Sequence, residues 1–289
     1  MLSSLAPAKV NLFLHVGAPT ADGFHPICSL MAFADVGDVV RLDPFGQGFF
    51  VEGAFAEGLT GEGDNLVARA RRTLSARTGR EGFFGLILEK RLPIAAGLGG
   101  GSSDAAAALR LMRAYLGLTL DAEALREMAK DLGSDTPACV EPRPMIAEGR
   151  GERLRPPPAF PDLPVVLVNP RAPSPTGPVY RAYDLAVAPQ GANAPVWPDR
   201  FSSVRDMAGA LELCRNDLEA PALALTPVIG EVLDALRAAP EPLLVRMSGS
   251  GATCFALCET PQSAKALAAR LHRAHPDWWI ADGRIGGVR

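Results

Sequence analysis

Pro93-Ile94-Ala95-Ala96-Gly97-Leu98-Gly99-Gly100-Gly101-Ser102-Ser103-Asp104-Ala105-Ala106 is the stretch on which the reading of this chain turns. Glycines let a backbone approach a phosphate closely, and a helix beginning immediately afterwards aims unpaired N–H groups and the positive end of its dipole at the same place. Ser102 and Ser103 add hydroxyl donors. Such a loop can cradle a polyphosphate without a lysine, and the chain contains no G-x-x-x-x-G-K-[ST] sequence. As a dinucleotide fingerprint the loop fails at its third glycine, where Ser102 stands, and no strand ending in Asp or Glu lies at the required distance. As a nucleophile elbow it has Asp104 where the last glycine is needed. A bare turn would not require so many phosphate-compatible residues against a helix.

Outward from the loop, Asp104 to about Leu116 reads as an alanine-rich helix ended by Gly117, and Asp121 starts another that stops near Gly133. Ser134 can cap a short helix with Pro137 in its first turn, making Asp135 a first-turn carboxylate. Upstream, Asp64 and Asn65 can cap a helix to about Thr78, and Gly85 to Glu89 reads as a strand. Ala8 to Val16 and Met31 to Leu42 read as strands on either side of the His25-Pro26 turn. Prolines crowd the region from Pro142 to Pro178, flanking two strand-like runs, and the reading divides the chain into domains at 1–150 and 151–289. Beyond it come a strand at Leu163 to Val168, a helix within Val204 to Leu218, helix starts at Thr226-Pro227 and Thr260-Pro261, a hairpin over Leu243 to Leu257, and a last helix through Arg273. The second half is therefore a small α+β domain. Ala186 to Pro198 reads as a mobile loop.

The chain has 289 residues, 48% hydrophobic and 21% charged, enough to bury a sizeable core. No run of eighteen or more apolar residues is present, and the opening Met1-Leu2-Ser3-Ser4 lacks signal-peptide regions, so the cytoplasm is the expected compartment. The 29 basic residues are dispersed and outnumbered by 32 acidic ones, which argues against nucleic acid or a membrane surface as partner. Cys28, Cys139, Cys214, Cys254 and Cys258 are scattered and form no C-x-x-C pair, so each is expected as a buried small hydrophobe. His272 and His275 lie on a helical pattern, and no structural metal is expected.

The quoted stretch is similar to the central motif of the GHMP kinases, a family that includes homoserine, mevalonate and galactose kinases. Pro7-Ala8-Lys9-Val10-Asn11-Leu12 resembles the first family motif and Met247-Ser248-Gly249-Ser250-Gly251-Ala252 the glycine-rich third, in the expected order. The resemblance implies an α+β fold of two domains, the first like a ribosomal-protein fold and the second ferredoxin-like. It implies an ATP-dependent small-molecule kinase using Mg2+, whose protein ligands stay open.

Within the family, the long glycine loop and Gly23-Phe24-His25 resemble the branch acting on a cytidine-diphosphate-linked methylerythritol, with other family substrates, homoserine or mevalonate, as the alternative. For that branch the resemblance assigns Lys9 and Asp135 to catalysis, with Lys9 beside the carboxylate. Asn65, Pro93, Ala95, Ala96, Gly97, Leu98, Gly99, Gly100, Gly101, Ser102 and Ser103 go to the nucleotide, and Asn11, Phe24, His25, Thr176, Tyr180, Gly249 and Ser250 to the substrate. Cytosine would lie between Phe24 and Tyr180, with Tyr183 the alternative ring, as base–aromatic stacking contributes roughly 1–3 kcal/mol per base. A monomer or weak homodimer is expected. Taken alone, Asp135 and Asn65 are helix-start residues, Lys9 a solvated strand lysine, His25 a turn residue, and Gly249 and Gly251 a hairpin turn.

Overall fold

β1 (Leu2–Val16) and β2 (Ile27–Asp43) pair with one another and are the longest strands of the protein. From Ala6 onward β1 is buried at every position, so its apolar residues do not alternate cleanly. The computed structural model describes residues 1–59, 65–186 and 189–287. They form two compact units, one of Met1–Ala8, Gly37–Ile94 and Gly99–Arg143, the other of Lys9–Val36, Ala95–Leu98 and Pro144–Arg289. Both long strands run through both units.

In the first unit, β3 (Phe49–Glu52) lies parallel to β4 (Gly85–Glu89), and β4 is antiparallel to the Val39–Asp43 end of β2. α1 (Leu66–Thr78) is stopped by Gly79, whose left-handed backbone donates its N–H to the Ser75 carbonyl. α2 (Gly100–Tyr115) packs between α1 and α4 (Thr136–Val140), with α3 (Ala122–Ala129) beside α4. The run Ala105 to Ala108 is wholly buried, because small side chains let neighbouring helices approach α2 closely.

Two expectations change here. α2 begins at Gly100 rather than after Ser103, so half of the glycine-serine loop is its first turn, entered through Gly99 in the left-handed conformation. At α4 the cap position belongs to Asp135 and not to Ser134. The α1 cap is Asn65, whose Oδ1 accepts from Val67 N–H at 2.8 Å; Asp64 lies outside the described residues.

In the second unit β5 (Met145–Gly149) pairs with Ile27–Met31 of β2 and forms a hairpin with β6 (Arg153–Arg155). β7 (Leu163–Asn169) is central to a second set of antiparallel strands, flanked by β9 (Cys254–Cys258) and β10 (Trp279–Ile285), with β8 (Pro242–Met247) beyond β9. Ile285 also stands opposite Ala34 of β2. The helices are α5 (Thr176–Ala186), α6 (Val204–Glu212), α7 (Glu219–Leu225), α8 (Val228–Arg237) and α9 (Pro261–Ala274). Val166, Val168, Val179, Tyr183, Ile229, Val232, Leu267 and Leu271 share one core. Thr260 and Ser263 start α9 with a reciprocal capping box.

Thr176 and Tyr180 lie on α5, since Pro178 falls in its first turn where no N–H is needed. Of the stretch read as mobile, residues 187 and 188 lie outside the described set. The following residues are tied down: His15 Nδ1 hydrogen-bonds Asn193 O at 2.7 Å, Arg215 donates to Gly191 O at 3.0 Å, and Trp197 sits edge-on between Phe13 and Phe201. All five cysteines are buried, as expected.

Candidate active site

In the second unit, the first motif, the start of the glycine loop and the third motif meet. Lys9, expected at a solvated strand edge, is buried, and its Nζ donates to Asn11 Oδ1 at 2.6 Å while its backbone N–H donates to Leu98 O at 2.8 Å. Asn11 passes the chain of bonds on, donating through Nδ2 to Ser29 Oγ at 2.7 Å and through its backbone N–H to Ser248 Oγ at 3.1 Å. Ser248 Oγ in turn donates to Gly97 O at 3.0 Å, and Thr253 N–H to Ala96 O at 3.1 Å.

Gly97 has φ of +73°, and a Cβ there would lie 2.3 Å from Ser248 O and 2.9 Å from Gly251 O. Its need for glycine therefore comes from the third motif pressed against it, a role distinct from close approach to a phosphate. A Cβ on Gly249 would come within 3.1 Å of Asn11 Oδ1.

In the first unit, Gly99 carries no capping side chain, so the first N–H groups of α2 are presented at its end with the helix dipole behind them. The N–H of Ser103 donates to Gly99 O and its buried hydroxyl to Pro7 O at 2.7 Å, so both donors are spent inside the protein. Ser102 Oγ lies 3.7 Å from where a Gly133 Cβ would be, and Thr136 Oγ1 3.3 Å from the same point, which puts Ser102 beside the turn that carries Asp135. Asp135 stands at the α4 cap position but makes no capping hydrogen bond with its side chain.

The nucleobase residues separate into two groups in the second unit. Phe24 is 54% exposed, and the Arg150 guanidinium lies over its ring at 4.1 Å from the centroid while also pairing with Asp22. Phe24, His25, Arg150 and Arg153 help line a cavity of about 490 Å³. His25 bonds Asp184 Oδ1 through Nε2 at 2.6 Å, and its ring stands 5.0 Å from that of Tyr180 and 5.8 Å from that of Tyr183. Tyr183 is wholly buried with its hydroxyl donating to Val16 O at 2.6 Å, whereas Tyr180 is half-buried. Thr176 Oγ1 is 3.0 Å from Ser250 Oγ, and Ser174 Oγ donates to Ser250 O at 2.6 Å. α5 is thereby tied to the third motif.

Sequence reading missed two groups. Buried Asn216 donates to Met247 O at 2.9 Å and Gly249 O at 2.8 Å, fixing the third motif from behind. An asparagine just before a helix looks like a cap, which it also is for Leu218 N–H. Lys90, Asp38 and Asp104 form a buried cluster beneath the start of α2. Among the described residues no group of three or more His, Cys, Asp and Glu could hold a metal ion, and no helix is long and apolar enough to cross a membrane.

Two family profiles match this chain, "GHMP kinases N terminal domain" over residues 65–141 and "GHMP kinases C terminal" over residues 202–277. A protein of Caulobacter vibrioides named 4-diphosphocytidyl-2-C-methyl-D-erythritol kinase is 57% identical over 98% of this chain and 99% of its own length. One of the same name from Methylobacterium radiotolerans is 48% identical over 97% of this chain and 98% of its own. A crystal structure of 4-(cytidine 5'-diphospho)-2C-methyl-D-erythritol kinase matches with a TM-score of 0.77 at 36% identity, covering 99% of this chain and 100% of that one. A homoserine kinase from Cytophaga hutchinsonii shares the fold, with a TM-score of 0.64 at 15% identity over 100% of this chain and 95% of its own.

Proposed function

This chain belongs to the GHMP kinases, and from that membership we propose that it transfers the γ-phosphoryl group of ATP to the 2-hydroxyl of 4-diphosphocytidyl-2-C-methyl-D-erythritol, a step of the methylerythritol phosphate route to isoprenoids. The observation that carries the proposal is the chain of bonds from Lys9 through Asn11 and Ser248 to Gly97, which joins residues of all three family motifs in one buried network.

Phosphoryl transfer asks mainly for in-line positioning and for neutralisation of charge on the transferring oxygens. The uncapped N–H groups at Gly100, Gly101 and Ser102 serve the phosphates. Asn65 spends its oxygen on capping α1, so its role toward adenine rests with its Nδ2 donors. Mg2+ supplies charge neutralisation on the phosphates when bound.

Asp135 takes the proton of the acceptor hydroxyl, and Lys9, held by Asn11, stabilises the negative charge of the transferring group. Cytosine stacks on the exposed ring of Phe24 with Tyr180 as the second face, and His25, oriented by Asp184, bonds the base. The enzyme acts in the cytoplasm on a small molecule, as a monomer or weak homodimer. The division near residue 150 separates the two matched family segments.

The test is ATP consumption by the purified protein with Mg2+ and 4-diphosphocytidyl-2-C-methyl-D-erythritol, beside homoserine and mevalonate. Turnover with the cytidine substrate alone is expected. Turnover with one of the other alcohols instead would retain the phosphate loop and Asp135 while removing the nucleobase assignment.

A further inference from the structure

Beneath the first turn of α2 the Lys90 ammonium is shared by two carboxyl groups, Asp38 at 2.5 Å and Asp104 at 3.0 Å, with side-chain exposures of 4%, 0% and 3% respectively. The two acids are not equivalent. Asp38 accepts backbone N–H bonds from Arg91 at 2.6 Å and Leu92 at 2.9 Å in addition to its bond from Lys90. Asp104 receives Lys90 on Oδ2, and its Oδ1 is buried with no hydrogen-bond partner among the described residues.

One ammonium cannot neutralise two buried carboxylates, and a surplus charge out of water is costly unless it is well bonded. Both oxygens of Asp38 accept hydrogen bonds, so neither is left dry. A dry carboxylate oxygen disfavours the charged form of Asp104. A proton on Asp104 Oδ2, directed at Asp38, leaves Oδ1 as an ordinary carbonyl oxygen.

We propose that Asp104 carries a proton in the working enzyme, so that the Lys90–Asp38–Asp104 cluster is neutral and the phosphate-binding end of α2 stays receptive to the polyphosphate of ATP. The inference rests on the nucleotide reading given above. Asp104 is a positioning residue, acting through the helix end it supports. A Cβ on Gly100 would lie 3.3 Å from Lys90 Nζ and 3.6 Å from Asp38 Oδ2, so the cluster is directly behind the first residue of α2.

Burial pushes the Asp104 carboxyl up, Lys90 opposes this, and Asp38 adds to it by charge and by hydrogen bond, leaving it at about 8. Burial pulls Lys90 down, but Asp104 and Asp38 more than offset it and hold the ammonium above its ordinary range. Charged groups on the neighbouring elements are engaged elsewhere. On α1, Arg69 and Arg77 bind Asp131 and Arg71 reaches Gly82 O; on α3, Arg126 binds Glu123 and Glu141. On α4, Asp135 sits in the turn beside Ser102 and Cys139 lies by Ser103; on α2 itself Arg110 binds Cys139 O; and the Arg91 side chain binds Glu89.

The experiment is equilibrium binding of a non-hydrolysable ATP analogue with excess Mg2+ at pH 7.5 and 9.5, together with thermal unfolding from pH 5 to 9.5, for the wild type and D104N. Raising the pH ionises wild-type Asp104, places a negative charge behind the phosphates, and weakens binding roughly tenfold. D104N, which keeps the shape of the neutral acid, binds within about twofold of wild type at pH 7.5 and is flat to pH 9.5.

For stability, the folded state keeps a proton that the unfolded state loses between the ordinary aspartate range and about pH 8, so wild-type stability falls as pH rises through that window. D104N removes that loss, and its stability relative to wild type must rise with pH. Parallel pH profiles of binding, a binding defect above tenfold in D104N at pH 7.5, or a D104N protein that is less stable at every pH or fails to fold would overturn the proposal in favour of an ionised pair. Failure of both proteins to bind nucleotide at any pH would sink the nucleotide reading itself, while the unfolding profiles would still decide the protonation of Asp104.

Discussion

Replacing Gly97 with alanine tests whether the meeting of the glycine loop and the third motif organises the second unit. An alanine at φ of +73° costs about 1–2 kcal/mol in the backbone alone. Its Cβ would also stand 2.3 Å from Ser248 O and 2.9 Å from Gly251 O, both backbone atoms that cannot rotate away, and overpacking of this kind costs about 1–3 kcal/mol. Relief by separation stretches the Ser248 to Gly97 and Thr253 to Ala96 hydrogen bonds, each contributing about 1 kcal/mol. Together these come to roughly 4–7 kcal/mol, or on the order of 10–20 °C in Tm.

Urea and thermal unfolding read that loss directly, and turnover should fall on the order of 100-fold if the loop shifts by about an ångström. Gly209→Ala is the control, because a Cβ there meets nothing within 4 Å and the exposed helical position should gain about 0.5–1 kcal/mol. If G97A stays within about 1 kcal/mol of wild type and keeps its turnover, the packing argument for Gly97 is wrong.

Asp135→Asn should lower kcat by on the order of 10²–10⁴ with ATP affinity and stability retained, checked by steady-state kinetics and calorimetry; near-normal turnover would remove it as base. Phe24→Ala should raise KM for the cytidine substrate by roughly 5- to 150-fold, in line with about 1–3 kcal/mol of stacking, and leave KM for ATP unchanged. Asn216→Ala should cost about 2–4 kcal/mol in denaturant unfolding, since it strips Met247 O and Gly249 O of a buried donor and Leu218 N–H of an acceptor. Burial pushes the Cys28 thiol up to about 11 and that of Cys258 up to about 12, so a thiol reagent at pH 7.5 should label the native protein very slowly and the urea-unfolded protein at once.

Local signals made much of this legible. α1 and β4 stand where the cap at Asn65 and the run before Pro93 place them, because one helix face and one short buried strand carry their own periodicity. β3 and β10 were not visible, since Phe49–Glu52 is too short to show a pattern and the run from Trp279 to Ile285 is broken by Asp282-Gly283-Arg284. Burial of Lys9 was hidden because its partners, Asn11 Oδ1 and Leu98 O, are supplied by packing and not by sequence neighbours alone. The roles of Asn216, and of Lys90 with its two acids, depend on side chains far apart in the chain, which no spacing rule brings together.

The two compact units are interleaved along the chain, with segments of each alternating from Met1 onward, and this has a bearing on how the molecule is made. During synthesis the segment Lys9–Val36 leaves the ribosome early, yet β7, β9 and β10, which belong to its unit, come last. Ala34 in particular waits for Ile285, almost the whole length of the chain later. Nascent protein must therefore hold apolar strand residues without their partners until elongation ends, the condition in which exposed strand edges invite aggregation. For the same reason, no single cut in the gene would place the two whole units in separate pieces.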